Sequence, residues 1–157
     1  MYLDSKNQTF WLVALRMLIG WHFLYEGLVK VLNPKWTSLA YLADSQGWFA
    51  SFFHKMAASP SVLSVVNVLN EWGLVLIGLG LLVGCFTRIA VVSGMVLLAF
   101  YYLSHPPFVG AAYMMPTEGS YLWIDKNIIE LAALGLLYVF PTAHICGLDR
   151  YIFKTKK

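Results

Sequence analysis

The chain has 157 residues, of which 59% are apolar and only 12% charged, and its formal net charge is +3. A soluble domain carries roughly 45–50% apolar and about 25% charged residues, so most of this length must lie out of water, in a single integral membrane domain spanning 1–157. Arg150, Lys154, Lys156 and Lys157 concentrate the basic excess in a tail, which reads as a membrane flank; with no reader motif beside it, nucleic-acid binding is excluded.

The apolar runs predict an all-α fold, a four-helix transmembrane bundle. The first span covers about 10–32. At ~1.5 Å per residue it reaches ~34 Å, enough to cross hydrocarbon. Asn33-Pro34 ends it, because the residue before proline avoids helical geometry. The run is too long for the apolar core of a secretion signal, and no cleavage pattern follows it. The 33–60 loop contains WTSLAYLADSQGWFASFFHKMAA, rich in aromatics and too interrupted to span; it predicts short amphipathic helices lying in the membrane interface.

The second span, about 61–84, begins after the Ser59-Pro60 start signal. Gly73, Gly78, Gly80 and Gly84 crowd it and predict close helix contact. Only Cys85-Phe86 separates it from the third span, 87–103, so these two form an antiparallel hairpin. Residues 105–121 hold three prolines, Pro106, Pro107 and Pro116, and predict an irregular loop. The fourth span, about 122–140, stops at Pro141 and carries Asp125, Lys126 and Asn127 in its first turn.

Lys6, Arg88, Arg150, Lys154, Lys156 and Lys157 gather on one side of this topology, and Lys30, Lys35, Lys55 and Lys126 on the other. The positive-inside rule then places both termini in the cytoplasm and the two long loops outside. Cys85 and Cys146 show neither CxxC nor metal-type spacing, so they read as small apolar fillers and no metal site is expected.

Ionisable groups inside a membrane cost at least ~2.5–3.5 kcal/mol each and normally face a partner. His22, Glu26 and Lys30 follow one another at i, i+4, i+8 and share a face of the first helix. The second helix carries Asn67, Asn70 and Glu71, the third ends near His105, and the fourth carries Asn127 and Glu130. Counted from the expected outer helix ends, Glu26, Glu71 and Glu130 lie roughly 9, 15 and 12 Å deep. Three carboxylates on three helices would thus share one slab of the outer half-membrane, with His105 at its mouth. An average membrane hydrogen bond contributes only about 0.6 kcal/mol, too little to justify burying three carboxylates as mere glue. Crowding would keep at least one of them protonated at neutral pH. Arg16 lies too far from Glu26 for contact in a straight helix; it either snorkels to the cytoplasmic interface or caps a buried network there.

The segments RMLIGWHFLYEGLVK (16–30), NEWGLVLIGLGLLVGCFTR (70–88) and EGSYLWIDKNIIELAALGLL (118–137) resemble the DoxX/DoxD-like membrane family over most of the chain. The resemblance implies a four-helix bundle in a bacterial cytoplasmic (inner) membrane, in a family with one branch that is the membrane subunit of thiosulfate:quinone oxidoreductase. Arg16, Glu26, Lys30, Glu71, Asn127 and Glu130 fall on polar positions of its pattern. Vitamin K epoxide reductase bundles are similar, but their CxxC is missing here, which argues against thiol–disulfide exchange.

These readings converge on a membrane subunit of a quinone-linked oxidoreductase. Glu26, Glu71 and Glu130 would relay protons as the catalytic groups. His22, Lys30, Asn67, His105, Asn127 and Arg16 would serve the quinone site. Haem is disfavoured, since His22 with His105 is the only pair that could ligate it. Electrons would come from a small reductant or a protein partner on the outer loops. Two other readings remain open: a non-catalytic anchor or assembly subunit for an outer-facing enzyme, and a small proton-coupled transporter, which would have to form a homo-oligomer.

Overall fold

The computed structural model describes residues 6–108, 110–114 and 122–152. Among these residues the fold is entirely helical. The helices are α1 (Lys6–Val31), α2 (Leu39–Ala43), α3 (Ala50–Ala58), α4 (Pro60–Val83), α5 (Thr87–Ser104), α6 (Lys126–Val139) and α7 (Asp149–Ile152). Three of them, α1, α4 and α5, are long and apolar enough to cross a membrane.

The expected fourth span differs. Its helix is α6, with only 14 residues, or ~21 Å of rise. Leu122 and Trp123 have positive φ (46° and 72°) and lie outside the helix. Asp125 is its N-cap, accepting from the Ile128 amide at 3.0 Å. Of the polar residues expected in a first turn, Lys126 and Asn127 are there and Asp125 is the cap: a carboxylate satisfies a free amide at that position and favours the positive helix end.

The other boundaries follow local chemistry. Pro60 occupies the first turn of α4, where its missing amide hydrogen costs nothing. Gly84 ends α4 at φ 68°, in the left-handed region, and lets the Cys85 amide close back onto the Gly80 carbonyl at 2.9 Å. The hairpin turn into α5 is accordingly short, the three residues Gly84, Cys85 and Phe86, one more than the Cys85-Phe86 connection expected. The 33–60 loop holds the two short helices α2 and α3.

α1 packs along α4, and α5 packs along α6 and α4. Ile19, Phe23, Leu74, Ile77, Leu81, Val91, Leu98, Leu134 and Leu137 form the buried core. The α1–α4 approach depends on small residues. A Cβ on Gly27 would lie 2.7 Å from the Val75 amide nitrogen, and one on Gly78 would overlap the Leu24 backbone. Gly73 has nothing near it, so the glycine crowding in α4 marks contact at some positions only.

The bundle has two dissimilar ends. At the turn end, the α4–α5 turn meets the segment after α6. At the cap end, α2, α3 and the chain after Ser104 fold over the helices.

Candidate functional site

A cavity of about 290 Å³ opens at the cap end. α1 supplies His22, Glu26 and Lys30 to its wall, α4 supplies Asn70 and Leu74, and α5 supplies Leu98 and Tyr101. Lys126, Asn127 and Glu130 come from α6, and Trp36, Thr37, Ser38 and Tyr41 come from the cap. The i, i+4, i+8 spacing on α1 explains why its three ionisable groups share one wall.

Each of the two carboxylates on the cavity has a base beside it. Glu130 Oε1 lies 3.0 Å from His22 Nδ1, which joins α1 to α6. Glu26 lies 3.7 Å from Lys30 Nζ along α1. The Lys30 ammonium also stands over the rings of Trp36 and Tyr101, at 5.5 and 5.8 Å from their centroids, where the ring quadrupoles attract it. Carboxylate–carboxylate crowding is thus replaced by two acid–base pairs. Deeper in, the Asn70 amide donates to the Tyr101 hydroxyl at 2.7 Å. That leaves the hydroxyl proton of Tyr101 available to a ligand.

Of the nine site residues expected from sequence, His22, Glu26, Lys30, Asn127 and Glu130 line this cavity. The other four do not. Glu71 follows Asn70 by one position, about 100° further round α4, and does not line this cavity, so only two of the three expected relay carboxylates meet here. Asn67 acts on the wall from behind. Its Oδ1 accepts from the Ser38 amide (2.9 Å) and hydroxyl (2.6 Å), and its Nδ2 donates to Thr37 Oγ1 (3.3 Å). It therefore positions the cap residues that face the cavity. His105 sits in the cap, stacked on Tyr41, and does not share the cavity with His22.

Arg16 lies at the opposite end of the bundle. It is 2% exposed and donates from Nη1 to Thr142 Oγ1 at 3.1 Å and from Nη2 to the Cys146 carbonyl. Of its two expected roles, it caps a buried network and does not snorkel. Asp149 completes that network by accepting from the Phe86 and Thr87 amides at 2.7 and 3.0 Å, capping α5 from outside the helix. Cys85 and Cys146 are free thiols. Among the described residues, no group of three or more His, Cys, Asp or Glu could hold a metal ion.

Tyr41, Tyr101, Trp36, Asn70 and Lys126 are cavity residues that sequence reasoning did not select. Asn70 and Leu74 are an i, i+4 pair, as are Asn67 and Glu71. Both faces of α4 offer a polar residue, and no local signal favours one over the other. The aromatic richness of the 33–60 loop was visible, but not which of its rings turn inward.

A family model described as DoxX matches residues 11–106. No curated protein and no solved structure matches the chain.

Proposed function

The chain belongs to the DoxX family, and from that premise we propose that it is a membrane subunit of a quinone-linked oxidoreductase, holding the quinone head group in the cap-end cavity. In this reading α6 completes a four-helix bundle as a short, partly inserted helix. The cap end faces outward, and both termini lie on the cytoplasmic side of a bacterial inner membrane, in keeping with the basic residues near the turn end. A protein partner on the outer face, or a small reductant, supplies electrons.

One observation carries the proposal. Acid–base pairs on α1 and α6 line the same cavity as the aromatic rings of Trp36, Tyr41 and Tyr101. The volume of about 290 Å³ falls just under the range for small-molecule sites, roughly 300–1,000 Å³, and suits a ring-sized head group. A quinone bound there would take up two electrons and two protons. The chain's own part is to position the ring and manage those protons. His22 Nδ1 and Glu130 Oε1 hold one proton between them at the α1–α6 rim. Asn70 orients the Tyr101 hydroxyl so that its proton can be donated to a ring oxygen. Lys30, held by Glu26 and two rings, contributes a fixed positive charge that favours electron density on the ligand.

The test is a titration of the chain in lipid nanodiscs with a short-chain quinone, followed by tryptophan fluorescence. Saturable quenching is expected, weakened about tenfold by Tyr101→Phe or Glu130→Gln, as for loss of one polar contact worth ~1.4 kcal/mol. Absence of saturable quenching, or affinity in both variants unchanged from that of the native chain, overturns the proposal. An anchoring subunit would keep its protein partner in the same variants without binding quinone.

A further inference from the structure

Outside the cavity, the cap contains a second cluster of titratable groups. The His105 ring contacts two tyrosines. It stacks on Tyr41 with centroids 3.9 Å apart and planes 25° apart, and meets Tyr113 in a tilted contact at 4.6 Å and 37°. Its Nδ1 pairs with Ser104 Oγ at 3.1 Å. Its Nε2 is buried and makes no hydrogen bond. The Asp44 carboxylate faces that nitrogen, but Oδ2 stays 3.9 Å away because the same oxygen accepts from the Met114 amide at 2.7 Å. That hydrogen bond ties the chain beyond α5 down onto α2. Tyr113 adds to it by donating to the Pro106 carbonyl at 2.7 Å.

A neutral imidazole suits this arrangement, and an imidazolium does not. A proton on Nε2 would put a positive charge in a buried position whose only facing acid is already engaged. We propose that the cap is an acid-released latch: protonation of His105 draws Asp44 off the Met114 amide, frees the 110–114 segment and loosens Tyr41, one wall of the cavity.

Among the described residues, the titratable groups facing His105 are Asp44 and Tyr41 from α2 and Tyr113 from the following chain; Asp125, at the start of α6, acts on Tyr41. Burial pushes the His105 pKa down, against an opposing pull from Asp44. Burial pushes the Tyr41 and Tyr113 hydroxyls up, so both stay neutral near and below pH ~7. With the folded-state pKa of His105 below its unfolded value, its contribution to cap stability is complete above about pH 6.5 and is lost as pH falls through the folded pKa. The latch does not depend on what the cavity binds.

Hydrogen exchange of the full chain in nanodiscs, compared at about pH 7.5 and about pH 5 and corrected for intrinsic exchange, reads the latch directly. Protection over 39–46 and 110–114 is expected to fall by about threefold or more at the lower pH, while the α1–α4 core does not change. His105→Phe keeps a ring in the stack but cannot take a proton, so the fall should vanish. Asp44→Asn keeps an oxygen for the Met114 amide and removes the opposing negative charge, so release should move to lower pH. Protection that stays level or rises on acidification in the native chain overturns the latch, as does a His105→Phe variant that still loses protection. If His105→Phe does not fold, the direction of the Asp44→Asn shift decides.

Discussion

The two ends of the bundle handle buried polar groups in opposite ways. At the turn end, the Arg16 guanidinium and the Asp149 carboxylate are 2% and 4% exposed and point at neutral backbone and hydroxyl partners. Neither lines the cap-end cavity. At the cap end, charges come as acid–base pairs on an open wall, with Glu26 half exposed and His22 nearly so. The contrast separates polar groups closed into the fold from polar groups left facing a cavity. A polar group turned onto its own chain and closed off from solvent holds a fold together, whereas one that keeps free surface on a cavity can serve a ligand.

The largest expected effect sharpens the structural half of that contrast. Arg16→Leu removes both donors and strands the Thr142 hydroxyl and the Cys146 carbonyl. It should cost about 2–4 kcal/mol, read as a loss of thermal stability in detergent, with the cavity chemistry unaffected in whatever protein remains folded. Gly78→Ala comes next. A methyl group there meets the Leu24 backbone, which cannot rotate aside, so α1 and α4 must separate at a cost of about 1–3 kcal/mol. Asp149→Ala strands two amides at the start of α5 and should cost about 1–2 kcal/mol in the same assay. The smallest stability change belongs to the cap end. Glu130→Gln breaks a partly exposed pair with His22 and should move stability by about 1 kcal/mol or less, while weakening quinone binding about tenfold. A Glu130→Gln protein as destabilised as Arg16→Leu would show that the cavity groups are structural after all, and would erase the distinction.

Much of the membrane architecture was legible locally. Run length, Asn33-Pro34, Ser59-Pro60 and the Cys85-Phe86 hinge each act over a few residues, so helix positions followed from them. The fourth helix begins four residues later than the expected 122, because hydropathy extends through Leu122-Trp123-Ile124 whereas helix formation waits for the Asp125 cap. The α1 face was equally readable, since His22, Glu26 and Lys30 are related by helix geometry alone.

What the sequence determined, then, was what depends on neighbours along the chain: a helical fold over the described residues, the three long apolar helices α1, α4 and α5 among the four spans expected, and one shared ionisable face. Tertiary structure decided which side of each other helix meets that face. In a membrane, lipid is as apolar as a protein core, so the apolar pattern of α4 does not reveal its orientation. Asn70 therefore reached the cavity where Glu71 was expected. The same holds across long separations: Arg16 bonds Thr142, 126 positions later, a contact that no spacing within a helix encodes.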